Sequence, residues 1–215
     1  MNIDLPGFGD SQSLSFTSIA DIATSVYQVL LTENAKGAIL LGHSLGGYVA
    51  CELNTQYPYF FKGLGLIHST SHPDTPTKKS NRKKSIDFIQ KHGTSNFFNQ
   101  FMKNLVAEDN LSLLPNKLKS TIMNTPTRSV INGLIAMMNR TDYAQILPQL
   151  TTPVLFIIGE KDHFYNPDDI YTQASRCAIA QIDIIKNAGH LSMIENKDSL
   201  ITAIQRFVKL NQYIQ

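Results

Sequence analysis

The stretch Gly42-His43-Ser44-Leu45-Gly46 brackets a serine with glycines two residues away on either side. Such a serine can attack a carbonyl once a base takes its hydroxyl proton. A Gly-x-Ser-x-Gly pattern arises by chance in about one chain in fifteen of this length, so its setting decides its meaning. Here an apolar run, residues 38–41, precedes it, and a helical pattern, residues 47–57, follows it. A strand, a sharp turn and a helix are what expose a nucleophilic serine at a sheet's edge. The turn demands small neighbours, which Gly42 and Gly46 supply. The serine would then sit over a helix N-terminus, with the backbone N–H of Leu45 free to donate to a developing oxyanion.

The base should be a histidine held by a carboxylate. Of six histidines, His43 lies inside the turn and is expected to pack on the sheet. His68, His72 and His92 fall at the edge of a helical segment or within it, and His163 follows a strand end. His190 lies in a Gly-containing loop between the last apolar run and the last helix. It therefore belongs to the carboxyl edge of the sheet, where Ser44 also lies and where open α/β sheets bind ligands. Asp162 ends the run 154–158 at that edge, with Asp74 as its competitor. Asp168 and Asp169 suit a helix start. The chain order becomes Ser44, Asp162, His190.

The elements that would position these groups follow from periodicity. Runs 38–41, 64–67, 154–158 and 182–185 are short and continuously apolar, as in strands buried on both faces of a parallel sheet. Helical spacing marks 18–33, 47–57, 167–175 and 197–210, and Ser18 with Asp21 has capping-box spacing. Residues 71–148 hold no comparable strand; helices are expected at 78–91, 95–106, 115–124 and 127–139. The opening residues read as the tail of a strand running into a loop.

Composition bounds the alternatives. The chain has 215 residues, 42% hydrophobic and 17% charged, with a net charge of +2. It can build a core, and it has no electrostatic pull toward nucleic acid. No apolar run approaches the ~20 residues of a membrane helix. The two cysteines, Cys51 and Cys177, lie too far apart for a metal-like spacing. No metal and no cofactor is expected, and a cytoplasmic location is.

Taken together, segments 4–11, 42–47, 153–162 and 187–190 resemble the α/β-hydrolase superfamily, in particular its small esterase-like and lactonase-like members. The likeness runs from residue 4 to the C-terminus. It implies an α/β-hydrolase fold: a mostly parallel sheet with helices on both faces, a core of residues 1–70 and 149–215, and a helical lid of residues 71–148. It implies Ser44 as nucleophile, Asp162 as orienting acid and His190 as general base in a serine hydrolase acting on a small-molecule carboxylic ester, thioester or lactone. Ser44 separates the chain from the related dehalogenase and epoxide-hydrolase branches, which use aspartate there.

The sequence also departs from that family. Segment 4–11 matches what the family has after its fourth strand, so the N-terminal strands are missing, together with a His-Gly loop that gives the second oxyanion donor. By analogy about 40–50 residues are absent. Residues 38–41 should then form an unpaired apolar edge, a route to a homo-oligomer. An incomplete sequence is the preferred explanation. The alternatives are an inactive relative acting as a binding module or a non-functional fragment, and a chain that borrows a strand. Lys78, Lys79, Arg82, Lys83 and Lys84 form a basic cluster, read as the solvated face of a lid helix. Phe97, Phe98, Phe101, Met137 and Met138 suggest an apolar underside to the lid, and His43, Phe97, Phe101 and Met137 are expected to line the substrate pocket.

Overall fold

Four short apolar runs form the strands β1 (Ile39–His43), β2 (Gly63–Ile67), β3 (Val154–Gly159) and β4 (Ala180–Ile185). The computed structural model describes residues 1–214. All neighbours pair in parallel, in the order β1-β2-β3-β4. The helices are α1 (Ile19–Thr32), α2 (Leu45–Gln56), α3 (Pro76–His92), α4 (Thr94–Phe101), α5 (Asn116–Met123), α6 (Thr127–Met138), α7 (Pro167–Ala174), α8 (Ser192–Glu195) and α9 (Lys197–Tyr213).

β3 shows why the sheet is covered on both faces. Every one of its residues is buried, and a strand's side chains alternate between faces. Val154, Phe156 and Ile158 join a core with Ile22, Val26 and Leu53 of α1 and α2. Leu155 and Ile157 join Leu200, Ala203 and Phe207 of α9 on the other face. The start of α1 has the expected capping box: the Asp21 N–H donates to Ser18 Oγ (3.1 Å), and the Ser18 N–H donates to Asp21 Oδ2 (3.0 Å).

Among the described residues β1 is an edge strand, in line with the expected unpaired apolar edge at residues 38–41 and not with full burial. Ile39, Leu40 and Leu41 are only half-buried, because among the described residues β1 pairs with β2 alone. Its free side borders a groove of about 750 Å³ that runs from Met1 and Ile3 past Leu40 to Ser44. The opening residues are not a strand; they form a coil that turns through Gly9–Ser11, with Asp4 Oδ2 accepting the Asp10 N–H at 2.9 Å. A segment without a neighbouring ladder has no partner for extended backbone.

Between β2 and β3 the chain is helical, with a small core of its own around Ile89, Phe98, Val130 and Leu134. Its two ends are tied together. Arg140 Nη1 donates to Asp74 Oδ1 (2.7 Å), and Arg140 Nη2 donates to the His72 carbonyl (2.7 Å). Arg82 pairs with the same carboxylate. The helix expected over 95–106 ends at Phe101 and continues only as a 3₁₀ turn, Met102–Asn104. Leu105 and Val106 are buried beyond it in an apolar cluster with Leu114 and Leu191, and their burial outweighs helical continuity.

Candidate active site

Ser44 is the first residue after β1 and the cap residue of α2, with φ 51° and ψ −116°. A left-handed φ is rare for a serine and costs about 1–3 kcal/mol, so it persists where the surroundings over-determine it. The surroundings here are the two glycines of the turn. A Cβ on Gly42 would lie 2.3 Å from the Gly46 carbonyl oxygen, so only glycine fits. Gly46 itself meets nothing within 4 Å outside its helix, whereas a Cβ on Gly47 would lie 2.2 Å from Ser69 Oγ. The second small residue that the turn needs is therefore Gly47 rather than Gly46. Leu45 opens α2, and its N–H is among the first-turn donors that a helix leaves unsatisfied.

The loop carrying His190 is drawn onto the same edge. A Cβ on Gly159 would lie 2.1 Å from the Gly189 carbonyl oxygen, so glycine at the end of β3 lets the loop close over it. Glu195 braces the loop by accepting the Gly189 N–H at 2.8 Å, and also accepts the Ala107 N–H at 2.7 Å. The His190 N–H donates to the Leu105 carbonyl at 3.0 Å. His190 Nδ1 then lies 2.9 Å from Asp162 Oδ2. Asp162 Oδ1 accepts the Phe164 N–H at 2.8 Å.

The Asp162 side chain is wholly buried. Burial alone would raise its pKa, but hydrogen bonds from His190, His68 and the Phe164 N–H hold it well below the usual carboxylate range. The carboxylate is therefore ionised at neutral pH, as an acid that orients an imidazole must be. Among the described residues Ser44 Oγ has no hydrogen-bond partner. Such contacts are often long before a substrate binds.

His68, set aside in the sequence, proves to be part of the cluster. Its Nδ1 lies 2.9 Å from Asp162 Oδ2 and its Nε2 lies 2.7 Å from Ser192 Oγ. The signal that could have found it is its position just past β2, at the sheet edge that selected His190. The competing acid Asp74 is occupied by Arg82 and Arg140, and Asp168 and Asp169 lie in the first turn of α7. Nδ1 of both histidines and an Asp162 oxygen lie within 4.8 Å of one another, close enough for a metal ion. Facing an ionised carboxylate, both nitrogens carry hydrogens and offer no lone pair, so the cluster is a hydrogen-bond network.

The expected pocket residues separate. Phe97 and Phe101 stack at 5.6 Å, Phe101 meets Phe164 at 5.9 Å, and Phe164 meets His190 at 4.7 Å. Neither Phe164 nor Tyr165, whose ring is 5.9 Å from His190, was singled out from the sequence. Met137 packs between the helical core and the main core. His43 packs against His68 and His190, and its Nε2 lies 2.9 Å from the His190 carbonyl oxygen. Burial pushes its pKa down to about 3. His43 thus props the His190 loop as a neutral ring, and it also lines the groove that Ser44 borders. The basic cluster also divides. Lys79, Lys83 and Lys84 are exposed. Lys78 Nζ turns inward to the Phe164 carbonyl at 3.1 Å and lies 5.0 Å from the Tyr165 ring.

A strained serine at a strand-to-helix turn and a histidine–aspartate pair, both at the carboxyl edge of a parallel sheet, fit the layout of an α/β-hydrolase. The chain belongs to the alpha/beta hydrolase family, whose model matches residues 1–203. It is 24% identical over 98% of its length, and 83% of the relative's, to a pimeloyl-[acyl-carrier protein] methyl ester esterase of Yersinia pseudotuberculosis. It is 26% identical over 98% of its length, and 81% of the relative's, to a 2-succinyl-6-hydroxy-2,4-cyclohexadiene-1-carboxylate synthase of Enterobacter. Among solved structures it is similar to a thermophilic esterase from Thermogutta terrifontis, with TM-score 0.87 and 27% identity, over 97% of this chain and 78% of that one. The two esterases among these relatives support hydrolytic chemistry. Among the described residues no helix is long and apolar enough to cross a membrane.

Proposed function

We propose that this protein is a serine hydrolase of carboxylic esters, thioesters or lactones, with Ser44 as nucleophile, His190 as general base and Asp162 as orienting acid. The observation that carries the reading is the left-handed Ser44 at the start of α2, at the same sheet edge as the His190–Asp162 contact of 2.9 Å. His190 Nε2 takes the hydroxyl proton as Ser44 Oγ attacks the carbonyl carbon. The carbonyl oxygen gains the negative charge and accepts from the Leu45 N–H. The tetrahedral intermediate collapses to an acyl-enzyme, and the departing alkoxide or thiolate takes the proton from His190. Water, deprotonated by His190, then releases the acid and restores Ser44.

In this reading residues 71–148 act as a lid. The ladder Phe97, Phe101, Phe164 supports an apolar acyl side next to His190. Treatment with a fluorophosphonate probe, followed by peptide mapping, tests the assignment. Labelling at Ser44 that is lost in Ser44→Ala is expected. A chain that stays unlabelled while folded would instead be a non-catalytic relative with an inert pocket.

A further inference from the structure

Asp162 Oδ2 serves two imidazoles, His190 and His68, each at 2.9 Å. His68 is wholly buried, and no step of the proposed mechanism uses it. Its backbone shares the oddity of Ser44. Each residue follows its parallel strand directly, and each has a left-handed φ, 51° for Ser44 and 46° for His68. Strain of this kind marks positions held for a purpose.

The tautomer follows from the partners. An ionised carboxylate only accepts, so His68 Nδ1 carries the hydrogen. The Gly159 N–H also approaches Nδ1, at 3.3 Å, but the shorter contact with a charged oxygen dominates. Nε2 is then the acceptor, and the Ser192 hydroxyl donates to it. A neutral imidazole is also what burial favours, since burial pulls the pKa of His68 down. The groups facing it are Asp162, His190, His43 and, by its charge, Glu195 of α8. His190 further faces Phe164 and Tyr165.

We propose that His68, aligned by Ser192, is a positioning residue of the active site: its Nδ1–H anchors Asp162 and shares the carboxylate oxygen that orients His190. The proposal rests on Ser44, Asp162 and His190 acting as described above. With the second donor in place, Oδ2 is pinned and its charge is divided. Without it, the carboxylate is freer to rotate and gives His190 its whole charge. His190 then faces an undivided carboxylate charge and is worse aligned.

The rate of fluorophosphonate labelling of Ser44 against pH reads this out, because labelling needs His190 unprotonated. In His68→Phe the acid limb should move up by about half a pH unit or more, and the plateau rate should fall about tenfold. His68→Asn puts an amide N–H near the Nδ1 position and should restore the limb. His68→Gln reaches instead toward the Nε2 position and should not. Thermal melting identifies the folded variants, and the Asn and Gln pair decides the matter if the Phe variant does not fold. Unmoved limbs in all variants, or Gln rescuing where Asn does not, overturn the proposal even if every plateau drops. Labelling that survives in Ser44→Ala overturns the hydrolase reading itself, and this proposal with it. Loss in Ser44→Ala with an unmoved limb in the His68 variants overturns only the role of His68.

Discussion

Two serine–histidine arms meet on one aspartate. On one, His190 contacts Asp162 and Ser44 occupies the strained turn at the start of α2. On the other, Ser192 Oγ is 2.7 Å from His68 Nε2 and His68 Nδ1 is 2.9 Å from Asp162. By distances alone, the second arm is the better-formed relay. It is nevertheless sealed, since Ser192 and His68 have no exposed surface, whereas Ser44 is half-exposed and borders the groove beside β1. Ser192 also lies in a one-turn helix without the glycine turn that lifts Ser44 out. A serine, a histidine and an acid in hydrogen-bond order thus do not by themselves make an accessible site. In the proposed reading, access for a carbonyl and the first-turn N–H of Leu45 as oxyanion donor separate the two arms.

The sharpest way to break this contrast is to remove one serine at a time. Ser44→Ala should lower turnover of a p-nitrophenyl ester by at least about 10⁴-fold. Ser192→Ala should lower it less than about threefold; equal losses would mean that the arms are not distinct. Asp162→Asn strikes both arms and should cost about 10⁴-fold in kcat, with KM little changed; steady-state kinetics separate the two terms.

A stability experiment tests whether the effects belong to the arms. Arg140→Met leaves the buried Asp74 with Arg82 alone. Removing one partner of a buried pair costs about 3–5 kcal/mol. The melting temperature should fall markedly while the acid limb of labelling stays where it is. A shifted limb would show that the neck of the helical segment reaches the site.

The smallest effect is on pH and stability. Burial keeps His43 neutral in the fold, with a pKa near 3 against 6.5 for the free side chain. Below pH 6.5 the unfolded chain takes up a proton that the folded chain refuses, so stability falls as pH drops from 6.5 toward 3. His68 has the same sign. Asp74 and Asp162, held below the usual carboxylate range, add a further loss below about pH 4, where the unfolded carboxylates protonate first. Calorimetric melting temperatures between pH 7 and pH 3.5 should decline steadily and then steeply. A flat profile down to pH 4 would mean that the histidine cluster is charged or wet.

The sequence by itself determined the four strands with their carboxyl ends and most of the helices, though not the coil at the start or the break after Phe101. Four apolar runs, the Ser18–Asp21 cap and the Gly-x-Ser-x-Gly turn are local signals, because strand burial, capping and tight turns act over a few residues. Those ends sufficed to name Ser44, Asp162 and His190 as candidates, since parallel strands bring their carboxyl ends to one edge. Only the tertiary structure decided which side chains meet there. His68 lies 94 residues from Asp162 in the chain and 124 from Ser192, and no spacing rule connects them. Likewise the role of Gly47 depends on Ser69, and the inward turn of Lys78 depends on the Phe164 carbonyl. Periodicity says which face of an element is apolar. Packing between elements far apart in the chain chooses the partner that each polar group finds, because a buried polar group must be satisfied by whatever the fold brings within 3 Å or so.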